Sequence, residues 1–154
     1  MSITTTTHLN FAGGEARGAL EFYGDVFGGQ ATITTYGDVG MPPELPGAYH
    51  VVFGQVVTAD GFRVLAYDVP GTRAGDAPQQ PGSTRRENGT TITDRPFFVA
   101  VGGETLDEVA AYWDRLADGG TVIEPLAASA WSPGFGMLTD RFGVTWALSV
   151  APAA

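Results

Sequence analysis

Leu9–Ile33 reads LNFAGGEARGALEFYGDVFGGQATI, and about 90 residues later Val99–Ile123 reads VAVGGETLDEVAAYWDRLADGGTVI. The two stretches share one pattern with a one-residue slip, and a pattern used twice is the first thing to settle about a fold. In each, an apolar strand ends at Phe11 or Val101 and meets a glycine pair, Gly13-Gly14 or Gly102-Gly103. A helix follows. Ala16, Ala19, Leu20, Tyr23, Val26 and Phe27 recur at steps of three and four in the first copy, and Leu106, Val109, Trp113, Leu116 and Ala117 do so in the second. Thr105 with Glu108 reads as a capping box, and Gly28-Gly29 and Gly119-Gly120 read as the two helix stops. Each stop leads into a β-branched strand, Thr32-Ile33 or Val122-Ile123.

Each copy then closes with a hairpin, Tyr49–Val57 with Phe62–Asp68 in the first and Phe135–Thr139 with Val144–Val150 in the second. The expected architecture is α+β: two tandem β-α-β-β-β modules forming a curved mixed sheet, a cup, with helices on its convex side. One domain, 1–154, holds module 1 (about 1–68), a linker (about 69–95) and module 2 (about 96–151). The linker assignment rests on Pro70, Pro78 and Pro81, several glycines and little apolar content, and the segment is long enough to serve as a lid. Asn88-Gly89-Thr90 reads as a turn, and Arg85-Arg86 as part of a solvated loop.

Alternate residues of a strand face opposite ways, so each strand divides into a helix-facing set and a free set. In the first strand Leu9 and Phe11 face the helix and leave Thr6, His8 and Asn10 free; in its counterpart Val99 and Val101 leave Phe98 and Ala100. A two-residue Asp60-Gly61 turn would pair Ala59 with Phe62. That register collects Val51, Phe53, Val57, Phe62, Val64 and Ala66 on one face, and His50, Val52, Gly54, Val56, Arg63, Leu65 and Tyr67 on the other. In the last strand Trp146, Leu148 and Val150 oppose the small Thr145, Ala147 and Ser149. The concave face predicted to take a ligand therefore carries His8, Asn10, His50, Arg63, Tyr67 and Phe98, with Trp131 on a loop over its mouth.

Composition narrows the chemistry. The chain has 154 residues, 17 acidic side chains against 8 basic ones, a net charge of −9 and no Cys. Disulfides, thiol nucleophiles and thiolate-held metal are excluded. Every basic residue is Arg, and Arg85-Arg86 is the one adjacent pair, so a nucleic-acid partner is not expected. The sequence has no basic, apolar leader pattern and no window of about 20 apolar residues, from which a soluble, cytoplasmic chain without a membrane partner is expected. Two His and no nucleophile elbow give no anchor for a Ser-His-Asp triad.

Leu9-Asn10-Phe11, Ala19-Leu20-Glu21-Phe22-Tyr23 and Val26-Phe27-Gly28-Gly29 resemble the opening of PhnB-like proteins, the demethylubiquinone methyltransferase-like branch of the glyoxalase and bleomycin-resistance (vicinal oxygen chelate) superfamily. Leu116-Ala117-Asp118-Gly119-Gly120, Pro125-Leu126, Trp131, Phe135-Gly136 and Asp140-Arg141-Phe142-Gly143-Val144-Thr145-Trp146 resemble its closing pattern. The resemblance covers nearly all the chain outside the linker. It implies a metal held by four His, Glu or Gln side chains from the first and last strands of the modules. Ala147 stands where that pattern usually has Glu, and Pro96, Phe97 and Phe98 stand where a His is required. Leu65 and Ala66 occupy the last strand of module 1, and His8 alone fits. One imidazole does not make a site, so neither a metal nor another cofactor is expected. No methyl-donor loop is present either.

The reading that follows is a metal-free small-molecule-binding protein, a small organic molecule as partner, and, by resemblance, a homodimer. Arg63 would offer a planar fork to a carboxylate or phosphonate. The alternative is a lyase, isomerase or dioxygenase with an unusual metal site or with His50 as general base, His50 being the candidate catalytic residue.

Overall fold

The computed structural model describes residues 2–73 and 84–151. The chain divides into two compact units, Met1–Pro78 and Gln79–Ala154. The first contains β1 (Thr7–Phe11), α1 (Glu15–Phe27), β2 (Gln30–Thr35), β3 (Val51–Val57) and β4 (Arg63–Asp68). The second contains β5 (Arg85–Glu87), β6 (Thr90–Ile92), β7 (Val99–Gly103), α2 (Leu106–Ala117), β8 (Thr121–Ala127), β9 (Phe135–Thr139) and β10 (Thr145–Val150). The β-α-β-β-β module occurs twice, as an α+β arrangement of mixed sheets. Sheet order is β1-β4-β3-β2 in one unit and β7-β10-β9-β8 in the other. In both, the first strand runs parallel to the last and the other pairings are antiparallel.

The helices form and stop for the reasons legible in the sequence. Every stripe residue of α1, from Ala16 to Phe27, is buried, against Leu9, Val51, Val56, Val64 and Ala66 of its sheet. Gly28 adopts φ 82° and donates to Gly24 O, a conformation that carries little cost only without a Cβ. On α2 the Thr105 hydroxyl accepts from Glu108 N at 3.2 Å, while the Glu108 carboxylate accepts from Glu104 N at 3.4 Å. Each helix lies close to its sheet over a glycine. A methyl at Gly54 would collide with Leu20, and one at Gly136 would meet the Trp113 ring at 2.7 Å.

The first hairpin differs from the expected one. Val57 pairs with Arg63 and Gly54 with Ala66, and Thr58 N donates to Phe62 O. The loop is therefore Ala59-Asp60-Gly61, with Gly61 at φ 101°, a three-residue turn instead of a two-residue one. A one-residue change of register exchanges faces. Gly54 and Val56 pack under α1, and Phe53 and Val57 turn to the other side, 45% and 41% exposed. The proposed linker is also not uniform. Residues 74–83, with Pro78 and Pro81, lie outside the described residues, but Arg85–Ile92 is a β-hairpin with Asn88 (φ 51°) and Gly89 (φ 75°) at its turn. Arg85 and Arg86 are thus strand residues, not loop residues. Among the described residues no helix is long and apolar enough to cross a membrane.

One buried carboxylate ties the first unit together. Asp68, fully buried, accepts from Ala16 N at 3.0 Å and from Val51 N at 2.8 Å. It supplies the cap that Gly14, at φ 89° and without a side chain, does not give α1. Asp68→Ala leaves both buried N–H groups without a partner and is expected to cost roughly 3 kcal/mol or more in urea denaturation, since each bond to a charged acceptor contributes about 1.5–3. A loss below about 1 kcal/mol would show that another group satisfies these donors.

Candidate functional site

The register of the first sheet fixes which side chains share the face turned away from α1. The strand pairings set three rows on this face: Arg63, Val57 and Gln30; His8, Leu65, Gln55 and Thr32; and Asn10 beside Tyr67, with Phe53 beside Thr34. Three apolar side chains, Leu65, Phe53 and Val57, stand around Gln55 on this face, among amides, hydroxyls and rings. The face contains no Asp or Glu, although the chain carries 17 of them, and Arg63 is its one permanent charge.

Several side chains hold one another in place on this face. His8 Nδ1 and Asn10 Oδ1 share a hydrogen bond at 3.0 Å, the amide oxygen accepting. The same imidazole stands edge-on to Tyr67, with centroids 5.3 Å apart and planes at 73°. Arg63 Nε donates to Thr6 Oγ1 at 3.3 Å. Tyr36, just beyond β2, donates its hydroxyl to Asp68 O at 2.7 Å. Burial raises the Tyr36 phenol above its ordinary 10.0, and the nearby Tyr67 and Asp68 raise it further. Sequence reading passed over Tyr36 because a Tyr after a strand of alternating Thr carries no distinguishing signal.

His8, Asn10, Arg63 and Tyr67 thus share one face, as expected, and Gln55 and Phe53 join them. His50 does not belong to the set. It precedes the first residue of β3, and its ring lies where a Cβ on Gly14 would come within 3.0 Å of Cδ2 and Nε2, at the start of α1. Arg63 is opposite Val57, at the far end of that strand. At roughly 3.3 Å per residue the seven steps between His50 and Val57 span about 20 Å, so Arg63 cannot orient the imidazole.

Phe98 and Trp131 lie in the second unit. There Phe135, Met137, Thr145, Ala147 and Ser149 occupy the sheet face away from α2, as the pairings of β10 with β9 require. Trp131, 57% exposed, tilts against Phe135 with centroids 4.9 Å apart. The β5–β6 hairpin lies over this face: Thr91 Oγ1 approaches Met137 Sδ at 3.5 Å, and the Arg86 guanidinium stands 5.2 Å above the Phe135 ring. Met137 is 2% exposed as a result. Asp140 braces the turn between β9 and β10: its carboxylate accepts from Phe142 N at 2.8 Å, Val144 N at 3.1 Å and Trp146 Nε1 at 2.8 Å.

With this geometry, residues 5–148 match the Glyoxalase/Bleomycin resistance protein/Dioxygenase superfamily. The chain belongs to that superfamily. Its fold is similar to that of protein PA1353 from Pseudomonas aeruginosa, at a TM-score of 0.72 and 24% identity over 97% of this chain and 98% of the other. It is also similar to the PhnB protein from Bacillus cereus, with a TM-score of 0.65 and 27% identity over 97% and 100% of the two chains. Protein YjdN from Escherichia coli is 32% identical over 54 residues, which span 35% of this chain and 37% of that protein. The matched stretch is thus well under half of the curated relative.

The superfamily resemblance implies a metal, and the donors among the described residues do not gather to hold one. Among the described residues no three His, Asp or Glu side chains group closely enough to hold an ion. The first face offers one imidazole, already bonded to a neutral amide, and the corresponding strand of the second unit offers Ala147. No chemical step is assigned to a metal on these residues.

The raised phenol has a measurable consequence. A group whose folded pKa exceeds its unfolded value stabilises the fold fully below the unfolded value, and that contribution disappears as pH rises through the folded one. Stability is therefore expected to fall above about pH 10, and Tyr36→Phe to flatten that part of the profile in denaturation series. An unchanged alkaline slope would place Tyr36 in an ordinary environment.

Proposed function

We propose that the chain is a PhnB-like small-molecule-binding protein that holds an organic ligand on the first sheet's free face, without a metal. The observation that carries this reading is the face itself: Leu65, Phe53 and Val57 stand around Gln55 among hydroxyls, amides, an imidazole and one guanidinium, with no carboxylate. Small-molecule sites join apolar surface to a few placed polar groups, and this face offers both kinds of group, with the polar ones in the majority. Arg63 favours a ligand with one anionic group, since its fork matches a carboxylate or phosphonate. The likeness to the PhnB protein supports the same branch of the superfamily. A homodimer fits the family pattern, and light scattering that returns a single-chain mass would reject it.

The test is calorimetry of purified protein against a panel of small organic acids and their neutral amides, with each compound recovered and checked for change. Saturable binding with the compound returned intact is expected. Leu65→Asp, which sets a carboxylate in the middle of the face, is expected to weaken it at least about tenfold, and Arg63→Met to weaken the acids selectively by a similar factor. Binding unaffected by both substitutions would move the ligand off this face, and consumption of the compound would make the chain an enzyme.

A further inference from the structure

The second unit poses a separate electrostatic problem. Arg86 comes from β5 onto the face of the other sheet, where its guanidinium lies over Phe135. Its Nη1 donates to Thr91 Oγ1 at 2.9 Å. Its Nε is the one buried side-chain nitrogen or oxygen with no hydrogen-bond partner among the described residues. Arg85 pairs with Glu87, Arg95 with Asp94 and Arg141 with Asp118, while Arg86 forms no ion pair among the described residues. Glu124 is the acid placed on this sheet opposite Met137, and it forms no ion pair with Arg86.

A guanidinium with a buried, unmet N–H and no counter-charge among the described residues is costly, and in a chain with 17 acidic residues that lack of a partner is a specific feature. With Nη1 engaged by Thr91, the Nε–Nη2 edge is the part of the fork left over. That edge takes the two oxygens of a carboxylate in a plane. Phe135 lies under the guanidinium, and the half-exposed Trp131 tilts against Phe135, which extends the aromatic surface. We infer that Arg86 is the anchor of a second binding site, one for the carboxylate of a small organic acid whose apolar body rests on Phe135 and Trp131. This site is independent of the first sheet's face and stands or falls without it.

The experiment follows the Arg86 Nε–H resonance by ¹H–¹⁵N NMR during titration of the full chain with benzoate, benzamide, acetate and inorganic phosphate. Arg86→Lys identifies the resonance by its loss. The expected result is a saturable shift with benzoate, a weaker one with acetate, none with benzamide, and a benzoate-induced rise in Tm that Arg86→Met lowers. Glu124→Gln is expected to keep or strengthen the shift. The inference is overturned if no carboxylate moves the resonance, if phosphate alone does, or if Glu124→Gln moves it without ligand, which would make Glu124 the missing partner. A Tm rise that survives in Arg86→Lys and Arg86→Met and disappears in Arg63→Met would assign benzoate to the first sheet's face and likewise reject a site at Arg86.

Discussion

The first unit depends on a carboxylate that water does not reach. Asp68 ends β4, receives the first free N–H of α1 and the first N–H of β3, and presents its own carbonyl to the Tyr36 hydroxyl. Buried polar groups persist only when paired, and here the pairing joins a helix, two strands and the segment after β2. Because the bonds fix where α1 begins relative to β3 and β4, they also fix which side chains of those strands face the helix and which are free. The second unit solves the equivalent problem differently. Thr105 caps α2 locally, and Asp140 braces the turn between β9 and β10 and the Trp146 indole. Two modules of one topology thus rely on different polar ties.

That difference separates what was legible in the sequence from what was not. Helix stripes, glycine stops and the internal repeat depend on neighbours within a few turns of chain, and those signals identified the modules. The β3–β4 register depends on whether Asp60-Gly61 or Ala59-Asp60-Gly61 makes the turn, and the same glycine serves both. The choice is settled by packing: Gly54 gives Leu20 the room it needs only when it faces α1. Phe53 and Val57 changed faces as a consequence. His8, Asn10, Arg63 and Tyr67 kept theirs because the β1–β4 pairing and the parity within each strand are unaffected by the turn. Asp68 carried no sequence signal, since its partners Ala16 and Val51 are distant along the chain.

The two sheets also differ in what lies on their free faces. In the first, Leu65, Phe53 and Val57 stand around Gln55 among mostly polar side chains. In the second, the β5–β6 hairpin places Thr91 on Met137 and Arg86 above Phe135. The segment read as featureless linker supplies that cover through Asn88-Gly89, whose positive φ values suit the tight turn between the two short strands. Duplication therefore produced matching scaffolds with unlike surfaces, and a shared fold leaves function to be argued from each face's own side chains.

On the proposed reading, ligand recognition proceeds without the metal that the superfamily's pattern implies. His8 is committed to Asn10, and no group of His, Asp or Glu donors forms among the described residues. The most direct test is elemental analysis of protein purified without chelator, with Tm measured before and after addition of divalent ions. Far less than one metal per chain and an unchanged Tm are the predicted results. Close to one metal per chain, with a Tm that falls when it is removed, would make a metal part of the fold and reject metal-free recognition.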